Sequence, residues 1–310
     1  LMSKHFGHCR WVYNWGLDTK SKSYTLTGKS PSKFDLSNLL PSMKKQEATV
    51  WLKEVNSQSL QASLENLDMA FNAFFNKQSE FPKFKSKNNS KQTFTIPCGV
   101  EVDYDHGRVW LPKFKEAIKI KLSRKIVGII TKSTVSKNAS GEYYISILAN
   151  DELELPTKPT LTDKHEVLGI DVGIKDFCTT SEGVVVENPK FLRSTQEHLT
   201  LLQRKLSHKQ KGSKNRKKAQ LKVAKLHQTI VNKRTDFLHK LSTRLVRENQ
   251  AIAREDLNVK GMMQNHKLAK AISEVAWTQF DSMCGYKTEW YGKWYLQIGR
   301  FDASSKTGNE

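Results

Sequence analysis

The chain is short of cysteine, of acidic residues and of long apolar runs, and each shortage excludes a class of protein. Its 310 residues contain four cysteines, at positions 9, 98, 178 and 284, and no two form a C-x-x-C pair. Cysteines scattered in this way predict reduced core residues and argue against a disulfide framework or a structural zinc site. No segment reaches the roughly 18 apolar residues of a transmembrane helix, and no signal peptide is visible. We therefore expect a cytoplasmic protein.

Basic residues outnumber acidic ones by 51 to 31, which gives a formal net charge of +20. Residues 201–250 hold 15 Lys and Arg but only two acidic residues, Asp236 and Glu248. A helix face that serves only solubility mixes both signs. The bias therefore favours a polyanion, with nucleic-acid phosphates preferred over a membrane surface. The candidate contacts in this segment are Lys205, Lys209, Lys211, Lys214, Arg216, Lys217 and Lys218.

A stripe of apolar residues predicts a helix from about residue 56 to 76. Its members recur at three- and four-residue steps, the spacing of one helix face. Trp11, Tyr13 and Trp15 are interpreted as packing residues of the same helical region, and stacking on bases is the alternative. The stripe comprises Leu60, Leu64, Leu67, Phe71, Phe74 and Phe75.

Residues 79–92 are polar and rich in lysine, and Pro82 would break a helix there. This composition predicts a linker. Its lysines are candidates for contacts to phosphate, which position a nucleic acid without reading its sequence. They are Lys83, Lys85, Lys87 and Lys91.

From residue 94 to 155 the apolar period changes from helical to two. Segments 117–122 and 143–148 alternate apolar with polar residues, and the clusters 105–107 and 138–141 are typical of turns. Antiparallel strands with one lysine-bearing face predict a small β-barrel. Prolines 156 and 159 mark a boundary after it.

Beyond this boundary, three short apolar runs, 167–172, 177–180 and 184–187, predict a strand meander. Ser194 and Glu197 have capping-box spacing and predict the start of a helix. A second helix is expected from Gly212 and Ser213 to about Glu248. A fourth strand is expected near 250–254 and a last one at 294–298. Such a meander opens the ribonuclease-H-like fold, and in a sheet of that fold the fourth strand lies parallel beside the first.

Two carboxylates, Asp171 and Glu255, stand within or at the end of apolar runs short enough to be buried strands. Burying a carboxylate is costly unless a cation or hydrogen bonds compensate it. Two that converge would repel each other unless a divalent metal lay between them, as at a Mg²⁺ site for phosphodiester chemistry. A strand end with an Asx turn is the structural alternative for either one. Asp256 should face away from Glu255 and serve a turn or cap.

The segments Leu168–Lys175 and Ile252–Gly261 resemble the first two acidic motifs of the RuvC-like nuclease domain in TnpB proteins. This family, also called OrfB, comprises RNA-guided nucleases of bacterial insertion sequences that are related to type V CRISPR effectors. Further matches follow in family order along nearly the whole chain. They are His5–Trp15, Ala70–Phe75, Phe81–Lys87, Leu268–Ser273, Glu289–Gly292 and Ser304–Thr307.

The resemblance implies an α+β multidomain protein. Residues 1–92 would form a helical recognition lobe and linker, 93–163 a small antiparallel wedge-type β-barrel, and 164–310 a ribonuclease-H-like (RuvC) α/β domain. It implies a guide RNA from the transposon end and a target double-stranded DNA as partners, no membrane, and a location at the prokaryotic nucleoid. Asp171 would bridge two Mg²⁺ (or Mn²⁺) ions roughly 3.5–4 Å apart, and Glu255 would hold one of them.

The chain departs from the family pattern in three respects. We expect both ends to be truncated, so that the family's zinc ribbon, its last helix and the third carboxylate are missing, and Asp302 does not match the missing residue. Arg254 replaces a residue that is usually apolar and would lie on the face opposite Glu255, which is costly unless it is paired. Poor cleavage is therefore expected. The alternatives are an endonuclease with an unrecorded C-terminus, a nuclease-dead RNA-guided repressor, and a decayed transposon relic.

The charge distribution predicts RNA binding that depends strongly on salt. Affinity should fall by more than about twofold between roughly 50 and 200 mM salt, because phosphate contacts release counterions. Neutralising Lys214, Arg216, Lys217 and Lys218 together should flatten the salt slope by up to about four contacts. Filter binding of a structured RNA across a salt series measures both effects. An affinity that does not respond to salt would contradict the electrostatic interpretation.

Overall fold

The computed structural model describes residues 1–89, 91–162 and 167–299. The chain divides into two compact units, Leu1–Glu152 and a second that begins at Leu153. The three-domain division made from the sequence stays a prediction. Its boundary at 163/164, Asp302 and the segment Ser304–Thr307 lie outside the described residues.

Helices dominate the first half of the first unit. The helix predicted over 56–76 is confirmed as α3, in which Leu60, Leu64 and Leu67 are buried and the Asn56 side chain accepts a hydrogen bond from the amide of Gln58. Trp11 and Trp15 pack half-buried against the core, as the sequence predicted. The elements are α1 (Met2–Thr27), α2 (Lys33–Met43), a 3₁₀ helix (Glu47–Glu54) and α3 (Ser57–Phe75).

The strands of the first unit form two separate three-stranded antiparallel sheets, in the orders β1-β5-β6 and β2-β3-β4. The turns predicted at 105–107 and 138–141 are present, but the strand predicted over 117–122 shrinks to two residues. The sequence predicted that these strands form one barrel. In the described residues they belong to two sheets with no hydrogen-bonded strand pair between them. The strands are β1 (Gln92–Ile96), β2 (Glu101–Asp103), β3 (Arg108–Trp110), β4 (Ile118–Lys119), β5 (Ile129–Lys137) and β6 (Tyr143–Asn150).

A five-stranded sheet in the order β11-β10-β7-β8-β9 organises the second unit. The first three strands of this unit, β7 to β9, form an antiparallel meander, and β10 lies parallel between β7 and β11. The predicted meander and the parallel fourth strand are confirmed. The strands are β7 (Val167–Val172), β8 (Asp176–Thr180), β9 (Val185–Glu187), β10 (Ala251–Glu255) and β11 (Trp294–Ile298).

Helices cover one face of this sheet. Leu168, Ile170 and Ile252 share a core with Leu238 and Phe280 of the covering helices. No helix of the described residues is long and apolar enough to cross a membrane. The helices are α4 (Phe191–Ser207), α5 (Lys214–Glu248), α6 (Val259–Met262), α7 (His266–Val275) and α8 (Trp277–Trp290).

All four cysteines are free, as the sequence predicted. Burial raises the pKa of Cys9 and Cys178 to about 11 and that of Cys284 to about 12, so these thiols stay protonated core groups. Cys98 is exposed, and its interpretation as a core residue was wrong.

The capping box predicted at Ser194 was wrong, because α4 begins one turn earlier. The Ser194 hydroxyl donates to the carbonyl of Phe191, 3.0 Å away, and so lies inside the helix. The first-turn amides of Leu192 and Arg193 instead donate to Oε1 of Glu274, at 2.7 and 3.1 Å. A carboxylate from α7 therefore caps α4, and tertiary structure replaces the local cap.

Arg254 is buried on the helix-covered face, and its charge is paired. Its Nη2 lies 3.0 Å from Oδ1 of Asp281 in α8, and the Tyr295 hydroxyl donates to the same carboxylate oxygen. Its side chain is only 4% exposed. The ion pair compensates the charge in part, because Nε and Nη1 of Arg254 are buried without a hydrogen-bond partner within the described residues.

Asp281→Asn should lower the free energy of unfolding by about 3–5 kcal/mol, because it leaves the buried Arg254 guanidinium without a counter-charge. Urea unfolding followed by tryptophan fluorescence measures the loss. The matched control removes the whole network with Arg254→Met, Asp281→Leu and Tyr295→Phe, and should be nearly neutral. An Asp281→Asn variant as stable as that control would show that the pair contributes little.

Candidate functional site

Strand register brings Asp171 and Glu255 to the same corner of the five-stranded sheet. β7 and β10 run parallel, and their last registered pair is Ile170 with Arg254. The next residue on each strand is Asp171 or Glu255. Neighbouring strands lie about 4.8 Å apart, and residues in register project from the same face. The two carboxylates are therefore neighbours, although 84 positions separate them in the sequence.

This pair lies on the sheet face opposite the helical core. Ile170 and Ile252 are buried in that core, whereas Asp171 is exposed and Glu255 half-buried. Arg254 points into the core and pairs with Asp281. Neither Asp171 nor Glu255 forms an ion pair within the described residues. Two unpaired carboxylates at an accessible sheet corner favour binding of a cation.

The side chains of Asp171 and Glu255 suit a hard divalent ion, but they provide only two carboxylate ligands. Carboxylate oxygens are the ligands that Mg²⁺ prefers. No group of three or more His, Cys, Asp and Glu side chains is arranged to hold a metal in the part of the chain that the structure describes. Asp171 and Glu255 could therefore supply two protein ligands, with water or substrate oxygens completing the shell.

The residues that follow each carboxylate shape the corner. The amide of Gly173 donates to the carbonyl of Phe177, 3.0 Å away, and turns the chain from β7 into β8. After β10, Asn258 caps α6 by accepting from the amide of Gly261 at 3.0 Å. Directly after the strand, Asp256 donates its amide to the carbonyl of Ile298, 3.0 Å away, and its expected role in a turn or cap stays a prediction.

A groove between α4 and α5 collects part of the predicted basic set. Lys205, Lys209 and Lys218 line a groove of about 360 Å³ together with Lys222 and Asn215. Lys218 and Lys222 stand four residues apart in α5 and so share a helix face, whereas Lys205 lies near the end of α4 and Lys209 in the turn after it. We name this feature the lysine groove. The sequence analysis missed Lys222, which the four-residue step from Lys218 could have identified.

The remaining basic residues of the hairpin lie outside the lysine groove. Arg216 donates from Nη1 to the carbonyls of Leu206 and Lys209, at 3.1 and 2.9 Å, and so closes the turn between the two helices. Three others are exposed and do not line it: Lys211, Lys214 and Lys217. Arg216 therefore has a structural role that its charge alone did not reveal.

The linker lysines differ in their surroundings. Lys83 pairs with Glu80 at 2.5 Å, and Lys87 is exposed. Lys85 lies over the ring of Tyr13, with Nζ 3.7 Å from the ring centroid, and burial lowers the pKa of its ammonium. The Asn14 side chain holds the main chain of Lys85 through two hydrogen bonds, of 2.8 and 2.9 Å.

Family models and whole-length relatives match this chain in both of its halves. A family model for OrfB of the IS605 group, described as "Probable transposase", matches residues 152–266, and one described as "Helix-turn-helix domain" matches 1–29. A "Putative RNA-guided DNA endonuclease" of Streptomyces pristinaespiralis is 39% identical, covering 98% of this chain and 75% of that protein. The "Putative RNA-guided DNA endonuclease InsQ" of Escherichia coli (strain K12) is 31% identical, covering 96% and 76%.

One solved structure has the same fold over most of the chain. It is described as the cryo-EM structure of the Cas12f1–sgRNA–target DNA complex, and it matches with a TM-score of 0.50. The match covers 96% of this chain and 72% of that chain at 12% identity. At this identity the likeness shows a shared fold alone.

Neutralising the lysine groove should weaken nucleic-acid binding more than neutralising other lysines. Replacing Lys205, Lys209, Lys218 and Lys222 with Gln should reduce the salt slope of RNA binding by up to about four contacts. The matched control replaces four lysines whose charges are already paired with carboxylates, and its slope should change little. The controls are Lys4, Lys22, Lys33 and Lys240. Equal losses in the two quadruple variants would contradict a specific role for the groove.

Proposed function

This chain belongs to the OrfB/TnpB family of IS605-type transposons, and from that premise we propose that it is an RNA-guided DNA endonuclease. It would bind a guide RNA derived from the transposon end and a target duplex, and would hydrolyse DNA phosphodiesters at Asp171 and Glu255. The observation that carries the proposal is the parallel register of β7 and β10, which brings both carboxylates to one open corner. The shared fold with Cas12f1 and the names of the relatives support it.

The proposed domain roles follow from the same premise. The helices of the first unit would form the recognition lobe, and its two small sheets would be the parts of a wedge-type barrel. In the second unit, the order β9-β8-β7-β10-β11, with an antiparallel meander followed by parallel strands, supports a ribonuclease-H-like (RuvC) domain. Target choice would rest on base pairing with the guide, and the protein would contact mainly backbone.

Each part of the second unit would have a separate task. Asp171 and Glu255 would hold Mg²⁺ or Mn²⁺ through hard oxygen ligands. A divalent ion held there supplies Lewis acidity to a phosphoryl oxygen. The lysine groove would hold phosphates without reading sequence. Arg254, which faces the core, would take no part in substrate binding and would hold β10 against α8 through Asp281.

The small donor set leads us to propose weak metal binding and poor cleavage by these 310 residues. Two carboxylates leave a second divalent ion short of protein ligands. RNA-guided DNA binding would then exceed cutting, as in the alternative of a nuclease-dead DNA-binding protein. The observation that favours this alternative is that no third ligand joins the pair within residues 1–89, 91–162 and 167–299.

Asp171→Asn and Glu255→Gln should each lower the affinity for Mn²⁺ by about tenfold or more, because each removes one of two anionic ligands. Calorimetric titration with Mn²⁺ measures this change, and guided cleavage of a matched duplex is assayed in parallel. Binding of guide RNA should not change. Glu182→Gln, in the exposed turn between β8 and β9, is the matched control. Efficient cutting that survives Asp171→Asn would exclude this site.

A further inference from the structure

A small basic pocket lies within the first unit, where residues of the lysine-rich segment 79–92 meet the helices. It has a volume of about 120 Å³ and is lined by α1, α3, this segment and β1. Helix α1 contributes Arg10, α3 contributes Asn66, and the segment contributes Lys85 and Lys91. We name it the linker pocket.

The positive charge of the linker pocket is not compensated by its own residues. No acidic side chain is present among the described lining residues. The guanidinium of Arg10 and the ammonium of Lys85 are half-buried and form neither an ion pair nor a hydrogen bond within the described residues. Burial lowers the pKa of Lys85, as expected for a cation that water solvates poorly. An anion that enters the pocket therefore meets two cations that have no other counter-charge in the part of the chain that the structure describes.

Hydrogen bonds fix the main chain around Lys85 before any ligand binds. The Asn14 side chain accepts the amide of Lys85 at 2.8 Å and donates to its carbonyl at 2.9 Å. Nζ of Lys85 lies 3.7 Å from the ring centroid of Tyr13, which is buried. Gln92 donates from Nε2 to the carbonyl of Lys87 at 2.7 Å and ties the segment to the start of β1. The cation is thus held in place, so it loses little conformational freedom when it binds an anion.

We propose that the linker pocket binds one phosphate group through Arg10, Lys85 and Asn66. The Asn66 side chain has no hydrogen-bond partner within the described residues and is available to donate to the same anion. These side chains offer more N–H donors than the two oxygens of a carboxylate accept, and a phosphate presents more acceptor oxygens. The volume is far below the roughly 300–1,000 Å³ of pockets that hold drug-sized molecules. The pocket therefore suits a phosphate group and not a whole nucleotide.

Two sources supply such a group, the backbone of a nucleic acid and a small phosphate compound. The net charge of +20 favours the backbone. Among the neighbouring lysines, Lys83 is already paired and Lys87 does not line the pocket, so Lys85 is the one whose surroundings suit an enclosed phosphate. The site belongs to the first unit, and the inference does not depend on cleavage at the carboxylate pair.

Protection of Lys85 from acetylation tests the site on the 310-residue chain. The reagent is N-hydroxysuccinimidyl acetate, and peptide mass spectrometry measures the rate at each lysine. In about 50 mM inorganic phosphate the rate at Lys85 should fall by about threefold or more relative to chloride of equal ionic strength, because an occupied pocket shields the amine. Lys87, which is exposed in the same segment, is the internal control and should not change.

A second arm replaces inorganic phosphate with an oligothymidylate of about ten nucleotides. Protection of Lys85 that needs far less oligonucleotide than phosphate assigns the group to a nucleic-acid backbone, because neighbouring phosphates add contacts with the basic surface. Protection by phosphate alone assigns it to a small phosphate compound. Either result supports the pocket. Protection by neither ligand would overturn it, as would equal protection of Lys85 and Lys87 by inorganic phosphate.

The variant Arg10→Gln tests whether both cations hold the ligand. It should remove most of the protection of Lys85, because one of the two charges is lost, whereas Arg10→Lys should retain part of it. Arg124→Gln removes an exposed arginine of the same unit outside the pocket and should leave the protection intact. An unchanged rate at Lys85 without ligand shows that a variant keeps the pocket; where Arg10→Gln alters this rate, the two ligand arms on the unmodified chain still decide. Undiminished protection in Arg10→Gln would overturn the inference.

Discussion

The register between β7 and β10 is the constraint on which the candidate site depends. With Ile170 opposite Arg254, the next step places Asp171 beside Glu255 on the open face. A slip of one residue would turn Glu255 into the helical core and Arg254 out to the open face beside Asp171. The ion pair between Arg254 and Asp281 opposes this slip, because it would leave Asp281 without its cation. Arg254 therefore also helps to fix the position of the candidate site.

Short-range periodicity was enough to predict most elements of the second unit. The strands β7 to β11 and the helix α5 follow apolar runs and caps that are visible in the sequence, whereas the parallel pairing of β7 with β10 was expected from likeness to the ribonuclease-H-like fold. Prediction failed where a partner came from far along the chain. Ser194 has the spacing of a cap, but Glu274, 80 positions away, caps α4 instead.

Charge counts in the sequence located the basic region, but they did not show which of its cations share one surface. The density of lysine between 201 and 250 does not distinguish Arg216, which closes a turn, from Lys222, which lines the lysine groove. A sequence can therefore predict that a protein binds a polyanion. Which of its cations face a common surface depends on helix packing and on hydrogen bonds such as those of Arg216.

The turn directly after Asp171 depends on a glycine. A Cβ on Gly173 would meet the carbonyl oxygen of Asp176 at 2.9 Å, and because this is a backbone atom the contact cannot be relieved by a side-chain movement. A Cβ on Gly261, inside α6, would instead meet Nδ2 of Asn258 at 2.5 Å, which the cap of that helix would have to give up. The Gly173 turn reverses the chain from β7 into β8, where Asp171 is registered with Thr179, and so Asp171 lies close to the end of its strand. Local backbone geometry on the β7 side and the register with β10 together determine where the candidate carboxylates lie.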